Sequence, residues 1–338
     1  MKIKSSIHDY EIEFKNNIDF LNSNYVDGDI IIMDNVIYYN NSDYLKYNVI
    51  KVESHELFKE YQNIGNIIDQ LINFDFKKSN KIFAIGGGVV QDITGFISSI
   101  IFRGVDWYFI PTTLLSQGDS CIGGKTSINL GKNKNQLGNF YPPKKICIDV
   151  NFLKTLPKKE LLSGLGEMLH YFIFDSYDSF LTYVKLFEDK NYEELIKKSL
   201  LIKKSVIEID EKENGIRKLF NYGHTFGHAI ESITDYKIPH GIAVSYGMDI
   251  SNYISFKKGF LNEKTYLEIK SVLKQIYETS KLEINDYEKY FNILKKDKKN
   301  TIGIIKPILI TDYGKLFQHE FTYDSDLLDL IKNYFNNE

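Results

Sequence analysis

Short apolar segments alternate with helical ones along the first half of the chain, and this alternation restricts the fold more than any other feature. Apolar strands are predicted at residues 29–33, 81–85, 107–110 and 146–150, with helices between them at 56–74 and 92–102. Strands separated by helices usually pair in parallel, in a sheet that helices cover on both faces. The first half therefore predicts an α/β domain.

Long amphipathic segments replace this alternation after residue 157. They are predicted at residues 159–174, 191–213, 220–233 and 263–278, and one small apolar strand follows near 304–311. Segments of this kind are typical of helices that pack against one another. We therefore predict two domains, an α/β domain at residues 1–150 and an all-α domain at residues 151–338.

Charge and cysteine content exclude several classes of protein. The 338 residues carry a net charge of -3, with lysines scattered among acids, so no nucleic-acid partner is expected. Cys121 and Cys147 are too few for a disulfide framework and fit a reducing compartment. The N-terminus lacks the apolar run of a secretion signal, and no segment approaches membrane-spanning length. We expect a cytoplasmic protein with no membrane partner.

Only two of the 42 basic residues are arginine, Arg103 and Arg217. Arginine holds anions through a planar group with five donors, which lysine lacks. In a chain that otherwise uses lysine, these two positions indicate sites that need the arginine geometry. One precedes PTTLLSQGDSCIGGKT and the other begins RKLFNYGHTFGH, and together they predict an anionic substrate.

Gly86, Gly87 and Gly88 lie between a predicted strand and a predicted helix. Glycines at such a turn let backbone N–H groups approach a phosphate, and the helix N-terminus adds positive potential. The sequence GGGVVQD lacks the spacing of the usual dinucleotide fingerprint, and a triple glycine also occurs in plain tight turns. Thr112 and Thr113 follow the next strand, where ligands of parallel sheets gather.

Three of the seven histidines, His224, His228 and His240, lie close together in the second half. His224 and His228 are four residues apart and share one face of a predicted helix. With a carboxylate such as Glu167, one or two of them would form a site suited to a divalent ion such as zinc. His170 lies three residues after Glu167, on the same face. The alternative is that these are buried histidines satisfied by backbone groups.

A polar segment rich in glycine follows the third strand and contains Asp119, Lys125, Asn129, Lys134 and Asn135. Its glycines predict a loop. The Lys125 ammonium, held among backbone donors, would suit a phosphate or a hydroxyl group. A solvated loop is the alternative in a chain this rich in lysine.

Seven segments together resemble the 3-dehydroquinate synthase family, within the wider group of sugar-phosphate cyclases. They are GGGVVQDITGF, FRGVDWYFIPTTLL, DSCIGGKTSIN, KNQLGNFYPPK, LKTLPKKELLSGLGEM, RKLFNYGHTFGHAIE and HGIAVSYGM. The order of PTTLL, GGKT and NxGHTFGHAIE is highly specific. The resemblance implies a Rossmann-like N-terminal domain that binds NAD, and a helical C-terminal domain that binds a divalent metal, zinc or alternatively cobalt.

The resemblance also implies roles for individual residues. The implied metal ligands are Glu167, His224 and His240. The residues implied in catalysis are His228, Lys125, Asp119 and His170. The residues implied to contact NAD are Glu56, Lys59, Gly86, Gly87, Gly88, Asp92, Thr112, Thr113, Lys134 and Thr155. The residues implied to bind the substrate are Arg103, Lys125, Asn135, Lys203, Arg217, Asn221 and Lys298.

The implied substrate is a phosphorylated sugar acid, 3-deoxy-arabino-heptulosonate 7-phosphate. Arg217 and Lys203 would hold its carboxylate, whereas Arg103 would reach the phosphate bound by a neighbouring subunit, so a homodimer is expected. The implied reaction is oxidation by NAD, elimination of phosphate, reduction and intramolecular aldol closure to 3-dehydroquinate, in the shikimate pathway to the aromatic amino acids.

Four positions depart from the family pattern: His170 replaces a lysine, Gln91 and His55 each replace a glycine, and Met33 replaces an acid that is shifted to Asp34. Several functions therefore stay open. The chain is a 3-dehydroquinate synthase, or a paralogous cyclase or lyase that acts on another phosphorylated sugar or sugar acid. The remaining alternatives are a weakly catalytic paralogue with a binding role, and an iron- or zinc-type alcohol dehydrogenase on the same fold.

Overall fold

A seven-stranded sheet organises the first half of the chain in the computed structural model. The structure describes residues 1–131, 133–284, 286–295, 303–323 and 325–336. The β-strands of this half are β1 (Lys2–Ile3), β2 (Tyr10–Phe14), β3 (Ile30–Asp34), β4 (Val49–Val52), β5 (Ile82–Gly86), β6 (Trp107–Pro111), β7 (Lys125–Leu130), β8 (Asn133–Phe140) and β9 (Lys145–Ile148). The sheet order is β1-β2-β9-β6-β5-β3-β4, and its pairs are parallel except β1 with β2.

Helices cover both faces of this sheet, as its apolar strands predict. The helices of the first half are α1 (Asn17–Asn24), α2 (Asn35–Tyr39), α3 (Tyr61–Asn73) and α4 (Gly88–Ile100). Along β3, Ile31 and Met33 pack in one cluster with Phe20 of α1. Ile30 and Ile32 point to the opposite face because side chains alternate along a strand, and they are equally buried. The predicted α/β architecture is confirmed.

The direction of the chain across the sheet reverses between β3 and β5. After β3 the chain adds β4 on one side, whereas after β5 it adds β6 on the other. In open parallel sheets, ligands bind beyond the carboxyl ends of the strands at such a reversal. The glycine turn that follows β5 lies at this position.

Residue contacts divide the chain into two compact units. The first holds Met1–Leu156 with Lys203–Lys212, and the second holds Pro157–Ile202 with Glu213–Glu338. The boundary predicted from sequence lay between residues 150 and 151, and that prediction did not foresee that 203–212 would group with the first unit. Among the described residues, no helix is long and apolar enough to cross a membrane.

The second half of the chain is mainly helical, as predicted. Its helices are α5 (Lys158–Asp175), α6 (Tyr177–Glu188), α7 (Tyr192–Ile207), α8 (His224–Ile233), α9 (His240–Lys257), α10 (Glu263–Tyr277), α11 (Tyr287–Lys295) and α12 (Ser325–Asn336). Its strands are β10 (Ile304–Ile305), β11 (Ile308–Asp312), β12 (Lys315–Gln318) and β13 (Phe321–Thr322). These form two small antiparallel pairs, so the half is not purely α-helical.

Glycines let α5, α8 and α9 approach one another at backbone distance. A Cβ atom at Gly166 of α5 would lie 2.3 Å from the carbonyl oxygen of Gly241 in α9. One at Gly247 of α9 would lie 1.9 Å from the carbonyl oxygen of Gly223, which precedes α8. Separations this short leave no room for any side chain, so these three helices are held at a spacing that only glycine permits.

Candidate active site

Glu167, His224 and His240 meet where α5, α8 and α9 approach one another. Nε2 of His224 is 3.3 Å from Oε1 of Glu167, and Nε2 of His240 is 3.4 Å from Oε2 of the same carboxylate. The Glu167 side chain is 5% exposed, whereas that of His240 is 30% exposed. A single buried acid on α5 therefore faces one histidine on each of the other two helices, and one side of the group is open.

Each of these histidines is bonded on its other ring nitrogen. Nδ1 of His224 lies 3.2 Å from the carbonyl oxygen of Tyr222, and Nδ1 of His240 lies 2.9 Å from Oε2 of Glu231. When Nδ1–H donates to an acceptor, the Nε2 lone pair is left for a metal. Both rings therefore present Nε2 towards Glu167.

The three groups shift one another's ionisation. Burial raises the pKa of Glu167, but the facing imidazoles of His224 and His240 outweigh burial and hold that pKa well below its usual range. Burial lowers the pKa of His240, but the carboxylates of Glu231 and Glu167 outweigh it and raise the pKa to about 10. The pocket thus favours an anionic Glu167 next to positive charge.

This donor set fits a divalent transition metal. One carboxylate and two imidazole nitrogens, with an open side, are the ligands of many catalytic zinc sites. Nitrogen and oxygen donors of this kind also accept cobalt. The three predicted ligands, Glu167, His224 and His240, are therefore brought together by the fold in a form that a metal can use.

His228 and His170 both lie next to the three predicted ligands. One ring nitrogen from each of His224, His228 and His240 falls within 4.8 Å of the others, so His228 borders the same group. His170 is 1% exposed, and its Nδ1 is 3.9 Å from Oε1 of Glu167. Its ring also packs edge-on against His224, with centroids 5.7 Å apart. His170 therefore contacts the proposed ligands themselves.

The glycine turn after β5 leaves space at one of its three positions. A Cβ at Gly86 would lie 2.3 Å from Val90, and one at Gly87 would lie 3.0 Å from Thr113, so protein atoms fill those places. At Gly88, the first residue of α4, a Cβ would meet no atom within 4 Å. Together with the helix N-terminus, this open position suits the approach of a phosphate.

The threonines after β6 are held close to this turn. The backbone N–H of Thr112 donates to the carbonyl oxygen of Gly86 at 3.0 Å. Thr113 and Ser116 bond one another through their hydroxyl groups at 2.9 Å. Thr112 and Thr113 therefore border the turn, as the sequence predicts.

A buried lysine joins several of the predicted cofactor residues. Nζ of Lys59, which is 3% exposed, lies 2.8 Å from Asp92 and 3.3 Å from Glu56, and donates to Oδ1 of Asn135 at 2.7 Å. Lys134 lies 3.7 Å from the same Glu56 carboxylate. Burial raises the pKa of Asp92, and Lys59 only partly offsets it. These residues form one network beside the glycine turn.

The polar segment after β6 is more ordered than its glycines predict. Residues 125–130 and 133–140 form the antiparallel hairpin β7–β8, which corrects the predicted loop. Asn135, in this hairpin, has a left-handed backbone with φ 55°, and its N–H donates to Oδ1 of Asn129 at 2.8 Å. Lys125, at the start of β7, is exposed. The hairpin therefore carries Lys125 and Asn135 on a defined backbone.

Asp119 and Lys203 bind one another within the first unit. Nζ of Lys203 is 2.6 Å from Oδ1 of Asp119 and donates to its carbonyl oxygen at 2.8 Å. Gln91 supports the segment that carries Asp119, because its side-chain amide bonds both the carbonyl oxygen and the hydroxyl of Ser120, each at 2.6 Å. Gln91 therefore braces the Asp119 segment from α4.

Of the remaining predicted residues, Arg217 and Asn221 share the short helical segment Ile216–Asn221. Arg217 is 4% exposed, and the amide of Asn221 donates to Glu213 at 2.5 Å. Thr155 is exposed and donates to a carbonyl oxygen at 3.4 Å. Arg103 is exposed, with a left-handed backbone at φ 62°. Lys298 lies outside the described residues.

Models of protein families match most of the chain. Residues 49–163 match 3-dehydroquinate synthase N-terminal, and residues 164–300 match 3-dehydroquinate synthase C-terminal. The chain belongs to the 3-dehydroquinate synthase family. A relative named 3-dehydroquinate synthase, from Campylobacter curvus, is 37% identical over 292 residues, which cover 86% of this chain and 84% of the relative.

Solved structures share the fold of this family member at low identity. A 2-deoxy-scyllo-inosose synthase complexed with carbaglucose-6-phosphate, NAD+ and Co2+ has a TM-score of 0.85 at 22% identity, covering 98% of this chain and 99% of that one. A 2-epi-5-epi-valiolone synthase from Streptomyces hygroscopicus with NAD+ and Zn2+ bound has a TM-score of 0.84 at 21% identity, covering 97% of each chain. At these identities, the likeness concerns the fold alone.

Three residues make contacts with predicted functional residues, or with their neighbours, that were not foreseen from the sequence. Glu231 contacts a proposed ligand, Asn129 bonds Glu56 and Asn135, and Gln91 braces Ser120. Glu231 has a sequence signal, since an acid seven residues after His224 lies on the same side of the helix. The contacts of Asn129 with Glu56 and of Gln91 with Ser120 have none, because these partners are distant in the chain.

Proposed function

We propose that this protein is a 3-dehydroquinate synthase, a phosphate lyase that converts 3-deoxy-arabino-heptulosonate 7-phosphate to 3-dehydroquinate and phosphate. The observation that carries the proposal is the set of Glu167, His224 and His240, grouped around a buried carboxylate in a chain of this family. The relatives' name supplies the reaction, and the donor set supplies a place for the metal that such chemistry uses.

NAD and a divalent metal, zinc or cobalt, are the proposed cofactors. When bound, NAD would accept a hydride from a carbinol and later return it, and the metal would polarise the oxygen at that carbon. Glu167, His224 and His240 would hold the metal. The open position at Gly88, with Thr112 and Thr113 beside it, supports binding of the NAD pyrophosphate by the first unit.

The neighbours of these cofactors would orient them and handle protons. Ion pairs beside the glycine turn would orient the bound NAD. They join Lys59 to Asp92 and Glu56, and Lys134 to Glu56. His228, partly exposed beside the ligand nitrogens, would hold or move a proton at its imidazole next to the reacting oxygen. These roles follow from position and from the chemistry of the side chains.

The substrate would carry two anionic groups, each matched by its own residues. Arg217, with Lys203 and Asn221, would bind the carboxylate, because a planar guanidinium matches a carboxylate with two parallel hydrogen bonds. Lys125, Asn135 and Lys298 would face the phosphate and hydroxyl groups, and Asp119 the ring hydroxyls. His170 packs against Glu167, so it would contact only the part of the substrate that lies next to that ligand.

The proposed active form is a homodimer. Arg103 is exposed at the end of a turn in which Phe102, Arg103 and Gly104 have positive φ angles of 49°, 62° and 109°. Such backbone costs about 1–3 kcal/mol for each non-glycine residue, and it persists at places where function requires it. Presentation of Arg103 to the phosphate held by a partner subunit is a function of that kind.

The test is a paired assay of the purified protein with the heptulosonate phosphate, NAD and zinc or cobalt. Phosphate and 3-dehydroquinate should form in equal amounts, without net NADH, because the hydride is returned. The His240→Ala variant should lose both products. The Glu268→Gln variant, whose carboxylate bonds Tyr177 and Tyr313, should keep them.

Three results would contradict the proposal in different ways. No phosphate release from the heptulosonate phosphate would exclude a 3-dehydroquinate synthase. Release only from another sugar phosphate would indicate a paralogous cyclase or lyase. Net NADH from a simple alcohol would indicate a dehydrogenase.

A further inference from the structure

Glu231 is a buried acid that the proposed reaction does not use. It lies on α8, is 4% exposed, and its Oε2 is 2.9 Å from Nδ1 of His240 at the start of α9. Nε2 of the same ring faces Glu167. The His240 imidazole therefore lies between two carboxylates, one on each nitrogen.

The contact differs in kind from the one at the other histidine. Nδ1 of His224 meets a neutral acceptor, the carbonyl oxygen of Tyr222, whereas Nδ1 of His240 meets an anion. A charged acceptor forms a hydrogen bond roughly twice as strong as a neutral one. It also makes the opposite ring nitrogen more basic and so a stronger metal ligand. The two nitrogen ligands are therefore unequal.

The more exposed of the two rings is the one that has the stronger hydrogen bond. The His240 side chain is 30% exposed, against 11% for His224, so packing restrains His240 less. A second bond to a buried carboxylate on a neighbouring helix compensates for that looser packing. Without it, the ring could rotate and turn Nε2 away from Glu167.

We propose that Glu231 is a positioning residue for the metal: it fixes the orientation and tautomer of His240 and thereby raises metal affinity. This inference rests on the proposed metal site of Glu167, His224 and His240. Glu231 does not itself bind the metal, since His240 lies between them.

The test compares Glu231→Gln and Glu231→Ala with wild type in metal-free protein. Zinc affinity is measured by competition with a chromogenic chelator, and the cobalt-loaded proteins are compared by their visible absorption. Loss of an outer partner of a ligating histidine typically weakens metal binding by about 10–100-fold. We expect Glu231→Ala near the upper end, Glu231→Gln near the lower end because its amide oxygen still accepts, and an altered cobalt spectrum in both.

Glu268→Gln is the matched control, since it makes the same substitution in the same unit at a carboxylate that bonds tyrosines. It should keep wild-type zinc affinity and spectrum. Glu231 variants that bind zinc as wild type does, even with a lowered Tm, would overturn the inference and leave the metal site intact. Wild-type protein that binds no zinc, with His240→Ala indistinguishable from it, would instead overturn the proposed metal site and the inference with it.

Discussion

A Cβ atom at Gly241 would lie only 1.8 Å from the carbonyl oxygen of Ser163, so α9 approaches α5 at backbone distance at this point. Gly241 directly follows His240, and Ser163 lies one turn before Glu167. The distance between these two proposed ligands is therefore set by a contact that excludes any side chain.

Replacing Gly241 with alanine should disturb the fold and the metal site together. The added methyl must push α9 away from α5, and overpacking of this kind costs about 1–3 kcal/mol. We expect a lowered Tm and weaker zinc binding. Gly65→Ala is the control, because a Cβ at that exposed position of α3 would meet nothing within 4 Å. Unchanged zinc affinity in Gly241→Ala would show that ligand spacing does not depend on this contact.

Substitution at Gly88 should separate cofactor binding from stability. Gly88→Val places its Cβ where no neighbouring protein atom lies within 4 Å, so the Tm should change little. NAD affinity should fall by at least about tenfold, equivalent to ~1.4 kcal/mol, because the backbone could no longer approach the pyrophosphate. Gly86→Val, which would collide with Val90, should instead lower the Tm. Calorimetric titration and thermal unfolding measure the two effects, and undiminished NAD binding by Gly88→Val would contradict this assignment.

His170→Lys tests the departure from the family pattern. A lysine restores the amine that the resemblance implies for contact with substrate hydroxyls, so kcat/KM should be kept or raised. The side chain is 1% exposed and packs beside Tyr171 and Phe220, so a longer charged group should lower the Tm. His170→Gln serves as the uncharged comparison. Complete loss of activity in a folded His170→Lys protein would mean that this pocket suits a different substrate.

Mixed dimers test whether Arg103 acts on a partner's substrate. Arg103→Ala and Arg217→Ala should each be inactive alone. In a mixed dimer, one site would combine an intact Arg217 with the partner's intact Arg103, so about a quarter of wild-type activity should return after random exchange. If Arg103 serves its own subunit, mixing restores nothing. Arg103→Lys tests whether charge alone suffices.

Acid should remove the contribution of Asp149 to stability. Burial raises its pKa, but hydrogen bonds from Asn17 and Asn151 outweigh burial and hold the pKa below its usual range. A lowered folded pKa stabilises above the unfolded value, about 3.9, and is lost as pH falls through the folded pKa. Asp149→Asn should therefore cost about 1–3 kcal/mol at pH 7, and progressively less as pH falls through the lowered folded pKa. Exposed Asp27→Asn is the control. A penalty that is independent of pH would contradict the assignment.

The sequence predicted the central strands because burial on both faces leaves continuous apolar runs such as that of β3. It missed β2 and β4, since Tyr10–Phe14 and Val49–Val52 are short and charged residues interrupt their apolar ones. It also missed α9 entirely, because a helix buried on nearly all sides has no amphipathic period.

In the site, too, residues with a local sequence signal could be predicted and those without one could not. Glu167, His224 and His240 were predictable because their residue types and flanking glycines stand in the chain itself. The predicted start of α8, at residue 220, was four residues too early. Gly223 has a left-handed backbone with φ 82°, which no α-helix contains, so α8 begins at His224. The brace between Gln91 and Ser120 depends on a contact across 29 positions, which no local pattern encodes.

The three proposed ligands each adjoin a glycine in the chain: Gly166 precedes Glu167, Gly223 precedes His224 and Gly241 follows His240. In a diverging gene, substitution of one of these glycines would dismantle the site while every ligand codon survived. We therefore expect each ligand and its adjoining glycine to be retained together. Among distant homologues, a chain that lacks one of these glycines should have lost metal binding even where its histidines are still present.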